Sequence, residues 1–207
     1  MNLKISPSFT IDKLRSGQIE DKIDVYEDRV LGWFLRPARS LLSVPNSEFA
    51  LLQLTIGYFE GYAIYRNGQD STGRSKAFFQ QAFLDVFPFF QTCEPGMGLP
   101  SDLGQRIGDA LYDGARGGLF HDGMARSQIL LAKASAPITV SAHKTSGDLG
   151  AVVIDVEKFL DNVEVHFVRY VAKLRDKNNT QLRRNFETAW NLKHPAKIYP
   201  LAPGGIP

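Results

Sequence analysis

Cysteine is almost absent. Cys93 is the single one, so no disulfide can close within one chain and no cysteine-based zinc site can be built from it. Long apolar runs are also missing. Nothing approaches the roughly 18 consecutive apolar residues of a membrane span, and the opening MNLKISPSFT lacks the apolar core of a signal peptide. Charge of one sign is scarce: the formal net charge is +2, too little for bulk electrostatics to hold nucleic acid, so any such contact must be local. Histidine is sparse. The four, His121, His143, His166 and His194, show no HxH, HExxH or paired spacing, so neither a metal site nor another cofactor is expected. Neither a Walker pattern nor GxGxxG occurs, although the donor-rich stretch 66–76, RNGQDSTGRSK, precedes a helix start where an anion can bind. The alternative there is an ordinary loop with capping residues. Repeats, low-complexity segments and a clear linker are lacking too. The expectation is a cytoplasmic protein forming one domain over residues 1–207.

What is present is ample core material, 43% hydrophobic and 11% aromatic, arranged mostly at helical spacing. A short helix is expected from Thr10. From Asp21, Ile23, Tyr26, Val30 and Phe34 recur on one face, and Pro37 limits or kinks that helix. After Pro45, Asn46 or Ser47 can cap a segment that is apolar nearly all round, from Phe49 to Tyr62, which marks a central helix ending at Asn67-Gly68. A third helix is expected from Ser71 or Thr72, with Phe79, Ala82, Phe83 and Val86 as its stripe and Pro88 as its stop. After the loop 94–102, Ser101 can cap a fourth helix carrying Leu103, Ile107 and Leu111. The pattern then turns β-branched. Segments Ile129 to Lys133, Ile138 to His143 and Ala151 to Ile154 predict a two- or three-stranded antiparallel meander. Asp155 caps a long amphipathic helix, Asn178-Asn179 breaks it, and a last helix runs from about Thr180 to Leu192. The fold expected is mainly α: a helical bundle with a small antiparallel β meander inserted after the fourth helix, at about 128–154.

Isolated polar residues need individual readings. Glu60 lies in the most apolar helix, so it needs a partner, such as a structural arginine, or a raised pKa and a chemical role. His166 falls at the edge of an apolar stripe and reads as a core-edge histidine, while His143 and His194 read as surface residues. The C-terminal third carries Arg169, Lys173, Arg175, Lys177, Arg183, Arg184, Lys193 and Lys197 against Asp176 and Glu187. That row fits a phosphate-tracking surface and a solvated helix face equally well.

One stretch joins two chemistry-bearing residues. Leu111 to Arg126, LYDGARGGLFHDGMAR, holds Arg116 and His121 at R-x4-H spacing among glycines, at the end of an amphipathic helix. Arginine offers a permanent charge and a planar fork of donors suited to phosphate. Histidine exchanges protons near neutral pH. Together they can cleave RNA without metal, the histidine as general base or acid and the arginine stabilising the phosphorane-like transition state. On an ideal helix residues five apart differ by roughly 140°, so the two cannot act together from one straight helix. Either Gly117-Gly118 bends the backbone or the working pair comes from two chains. Tyr112 and Asp113 share the helix side of Arg116 and can orient it.

The R-x4-H of Arg116 and His121, at the end of a later helix in an all-helical core, resembles the HEPN superfamily, helical-bundle domains with an R-x4–6-H motif, many of them ribonucleases of toxin–antitoxin and phage-defence systems. The resemblance covers about residues 47–126. It implies a metal-independent endoribonuclease, a toxin or phage-defence effector. It implies a homodimer whose two motifs meet in a composite site, RNA as substrate, and an antitoxin or regulatory protein as partner. Arg116 and His121 would then be catalytic; read from the residues themselves, Tyr112 and Asp113 would support Arg116, and Arg126, Arg183 and Arg184 would touch RNA. Two positions depart from the pattern: Gly117 replaces the polar residue that follows the arginine in many active members, and Gly123 replaces the tyrosine of the nucleotidyltransferase-modified subgroup. The competing readings are a non-catalytic HEPN-like module for RNA, a nucleotide or a protein, and a structural protein in which Arg116 and His121 pack a dimer face.

Overall fold

The computed structural model describes residues 3–91, 102–117, 128–142 and 149–194. Helix α1 (Ile19–Val30) passes through a wide π turn, Leu31–Leu35, into α2 (Arg36–Leu41). In that turn the N–H of Arg36 reaches back five residues to the carbonyl of Leu31. Pro37 can neither donate an N–H nor tolerate a carbonyl four residues back, and the widened turn beside it absorbs the misfit. Upstream, the helix expected from Thr10 is one 3-10 turn, Ile11–Leu14, set by the short bridge between Lys4 and Thr10.

Helix α3 (Glu48–Asn67) is central, as its all-round apolarity requires. It packs against α2, α4 (Ser75–Val86), α6 (Val156–Arg175) and α7 (Thr180–Lys193). Phe59 is fully buried, its ring centroid 5.1 Å from that of Phe79 and 5.8 Å from that of Phe159. The helix stops at Gly68, whose φ of 67° is left-handed and whose N–H bonds the Ile64 carbonyl. A side chain at Gly68 would also press on the Asn185 backbone, 2.9 Å from an ideal Cβ, so both conformation and contact demand glycine. Helix α6 buries the amphipathic stripe read from the sequence, from Val156 through Phe159, Val163 and Phe167 to Leu174, and the Asp155 carboxylate accepts from the Lys158 N–H at its start.

Two expected caps are used otherwise. Ser47 stands at the N-cap of α3, but its hydroxyl donates backwards to the carbonyls of Leu41 and Val44, and Asn46 adopts φ 60°. The third helix begins at Ser75 rather than at Ser71 or Thr72, because both hydroxyls are engaged elsewhere, with Glu60 and Asp70. Helix α5 (Leu103–Ala110) follows and widens into a second π turn, Leu111–Gly117. Its expected cap, Ser101, lies outside the described residues, as do Cys93 and His143.

The small sheet lies where the sequence puts it, after α5 and against it, but its strand order is not a meander. Strands β1 (Ile129–Leu131), β2 (Ile138–Ala142) and β3 (Leu149–Ile154) take the order β1-β3-β2, with β3 parallel to β1 and antiparallel to β2. Val152 and Ile154 of β3 are fully buried, so the most apolar strand takes the centre. The connection between β1 and β2 wraps the end of β3. Asp155 holds it there, accepting from the Ala134 N–H at 3.0 Å and donating its own N–H to the Pro137 carbonyl. A β1–β2 hairpin is thus split by the strand that leads into α6. No helix among the described residues is long and apolar enough to cross a membrane.

Among the described residues two buried side-chain atoms lack a hydrogen-bond partner, Gln53 Oε1 and the Tyr170 hydroxyl. An unsatisfied buried hydroxyl costs about 1–3 kcal/mol. Tyr170→Phe is therefore expected to hold or raise stability, whereas Phe59→Ala should lose about 3–5 kcal/mol. Urea denaturation followed by circular dichroism checks both, and a clearly destabilised Tyr170→Phe would show that the hydroxyl has a partner after all.

Candidate functional site

Arg116 sits in the π turn that ends α5, and its surroundings are assembled from three separate segments. Its Nη2 donates to Oε2 of Glu60 on α3 at 2.7 Å. The other carboxylate oxygen of Glu60 accepts from the Ser71 hydroxyl, also at 2.7 Å. The guanidinium lies over the Tyr112 ring, 5.0 Å from its centroid, close enough for a cation–π contact. Glu60 is the more enclosed partner, its side chain 16% exposed against 39% for Arg116. The remaining guanidinium nitrogens make no hydrogen bond among the described residues, so the fork is fixed on one side and open on the other.

The cluster accounts for Glu60 as a carboxylate paired to a structural arginine, one of the two readings its sequence setting allows. It also places Tyr112 under Arg116, as the helical spacing suggests. Asp113 turns elsewhere: its carboxylate and that of Asp109 bracket the Lys76 ammonium, each at 2.8 Å. His121, Gly118, Gly123 and Arg126 lie outside the described residues. The partnership of Glu60 and Ser71 with Arg116 was not read from the sequence. Its only signal was an acid in an apolar helix that had to find a cation.

Three cations of the basic C-terminal third are paired with acids from earlier in the chain. Arg175 pairs with Asp24 at 2.8 Å and with Glu27. Arg183 is only 13% exposed at its side chain and binds Glu20 and the Leu174 carbonyl, both at 2.6 Å. Lys193 pairs with Asp70. Arg169, Lys173, Lys177 and Arg184 remain exposed, and Lys197 lies outside the described residues. The cations still open to a polyanion are thus fewer than the sequence counts, and Arg183 is committed to the bundle.

His166 occupies the core edge, as expected. Burial first, then the charges of Lys173, Arg169 and Arg66, push its pKa down to about 4. The ring is neutral at pH 7, and its Nδ1 shares a hydrogen bond of 2.8 Å with the Tyr58 hydroxyl. Nearby, Asp85 accepts from the Tyr62 hydroxyl and pairs with Arg66 at 3.1 Å, while burial holds its pKa above the usual carboxylate value. No cluster of histidine, cysteine and acidic side chains able to hold a metal occurs among the described residues. Compared with protein-family models, with curated proteins and with solved structures, the chain matches none.

Two outcomes follow. The Glu60–Arg116 pair is intermediate between exposed and buried, so a double-mutant cycle of Glu60→Gln and Arg116→Ala should give a coupling on the order of 1–2 kcal/mol. A coupling near zero would mean the two side chains do not engage in solution. For His166, the folded ring takes its proton near pH 4 and the unfolded ring near 6.5. The stability it contributes is whole above pH 6.5 and drains as pH falls towards 4. The urea midpoint of the wild type should therefore drop more over that window than that of His166→Gln; equal slopes would contradict the depressed pKa.

Proposed function

We propose that the protein is a metal-independent endoribonuclease of HEPN type, a toxin or phage-defence effector acting in the cytoplasm as a homodimer. RNA is its substrate, and an antitoxin or regulatory protein holds it in check. The observation that carries the reading is the setting of Arg116: a guanidinium fixed by Glu60 and Tyr112 on one side and open on the other, five residues before His121. A preorganised fork pays little to meet the charge that develops on a phosphate. The residue before any shared site with His121 is also already off the regular α-helical register, in a π turn, and such turns recur where backbones are adapted to function.

In this reading His121 takes the proton of a 2′-hydroxyl as its oxygen attacks the adjacent phosphorus. The bond to the 5′-oxygen then breaks, and a protonated histidine, from the same chain or its partner, supplies the proton to that oxygen. The products are a 2′,3′-cyclic phosphate and a 5′-hydroxyl. Arg116 stabilises the negative charge of the crowded phosphorus, and Glu60 is a positioning residue that acts through it. Arg184 and Arg126 contribute phosphate contacts away from the reacting bond.

The second reading is a HEPN-like module that binds RNA, a nucleotide or a protein without cleaving. It is favoured by the same Glu60 carboxylate, which neutralises much of the charge that Arg116 would bring to a phosphate. Incubation of total RNA with EDTA separates the two. Wild type should cleave, while Arg116→Ala and His121→Ala should each lose about a hundredfold or more, the usual contribution of an acid–base group or a transition-state donor. Identical behaviour of all three proteins would remove the catalytic reading. Salt-dependent binding without cleavage, weakened by Arg184→Glu, would establish the second.

A further inference from the structure

A cavity of about 200 Å³ lies between α3 and the α1–π turn, apart from the Arg116 cluster and sharing none of its residues. Rings of Tyr26, Tyr58, Tyr62 and Tyr65 wall it, and its surface is overwhelmingly apolar. Phe34, 46% exposed on the π turn, also lines it. An apolar cavity of about 150 Å³ is large enough for benzene, so this one has room for a two-ring aromatic system.

The space is built into the backbone. Gly57 and Gly61, one turn apart in the middle of α3, both line it, and a Cβ placed on either would meet nothing within 4 Å. Glycine within a helix costs stability relative to alanine, and here no neighbouring group requires it. What the two glycines do is keep the cavity open. On the opposite wall, the π turn at Leu31–Leu35 holds Gly32 against Pro7, so that a Cβ would fall 2.3 Å from the proline ring. One wall is hollowed by glycines while the other is pinned in place.

Arg29 is the one charged residue among those that line the cavity, and no carboxylate pairs with it among the described residues. Its Nε donates to the Ile5 carbonyl at 2.6 Å and its Nη1 bonds the His194 ring at 2.5 Å, while Trp190 and Trp33 lie 5.5 and 6.0 Å from the guanidinium carbon. Among the described residues Nη2 has no hydrogen-bond partner. The neighbouring acid, Asp28, is occupied by Ser6 and Ser8. Burial and the uncompensated Arg29 charge together hold the His194 pKa below its ordinary value. A held, unneutralised guanidinium beside an aromatic cavity is complementary to a flat ring carrying one carboxylate.

We propose that this cavity is a binding site for a small aromatic monocarboxylate, its ring between the α3 glycines and the tyrosines and its carboxylate on Arg29. The inference stands independently of the ribonuclease reading.

Isothermal titration calorimetry of the full chain with indole-3-acetate, 3-methylindole and decanoate tests it. Indole-3-acetate should bind one to one and at least tenfold more tightly than 3-methylindole, which lacks the carboxylate. Gly61→Leu, which fills the cavity, should abolish the heat. Gly61→Ala should weaken binding several-fold, and serves as the filling variant if the leucine protein fails to give a wild-type circular dichroism spectrum. Arg29→Met should bring indole-3-acetate down to the level of 3-methylindole. No binding by the wild type, binding untouched by the glycine substitutions, or tighter binding of decanoate than of indole-3-acetate would each overturn the proposal.

Discussion

A twenty-residue helix that cannot be left in water sets the terms for the rest of the chain. Helix α3 is apolar on every side, so it must be surrounded, and each neighbour presents it with a matching face. Helix α6 brings Phe159, Phe167 and Tyr170, helix α4 brings Phe79 and Phe83, and α7 seals the far end with Phe186 beside Tyr65. The one carboxylate in the middle of this helix is the exception that organises its surroundings. A carboxylate in such a helix needs donors supplied from elsewhere. Ser71 and Arg116 supply them, and in doing so fix the loop after α3 and the end of α5. The position of Arg116 is therefore a consequence of how α3 satisfies its own polar residue, before any chemistry is asked of it.

What could be read from sequence follows from the range over which each signal acts. The stripes of α3 and α6 were legible because burial imposes a helical period on consecutive residues, and Gly68 and Asp155 were legible because a C-cap glycine and an N-cap aspartate act on their own helix ends. Ser47 and Ser71 misled because a short hydroxyl has competing partners, and tertiary ones won. Strand order was not legible either. Whether β2 pairs with β1 or with β3 depends on which strand is buried deepest and on how Asp155 grips the connection, and neither leaves a local mark. The basic third left two readings level, and Glu20, Asp24 and Glu27 on the first long helix pair with only Arg175 and Arg183 of it. For the candidate site, Tyr112 beside Arg116 was legible at helical spacing, while Glu60 and Arg116 each announced an unmet need without naming the other.

The two arginines that face open space illustrate opposite uses of the same group. Arg116 carries its counter-charge with it, so a phosphate arriving there would meet a directed fork but little net attraction. Orientation is what such a residue can offer, and long-range attraction must come from exposed cations such as Arg169, Lys173 and Arg184. Arg29 is the reverse. Two aromatic rings and a carbonyl hold it without neutralising it among the described residues, beside an apolar space. Its partner has to bring both the negative charge and the apolar body that fills the space beside it. A fixed, neutralised arginine suits a site that must aim at a passing phosphate, and a fixed, bare one suits a site that must retain a small anion. The difference between them rests on one carboxylate, present on α3 beside Arg116 and absent among the described residues around Arg29.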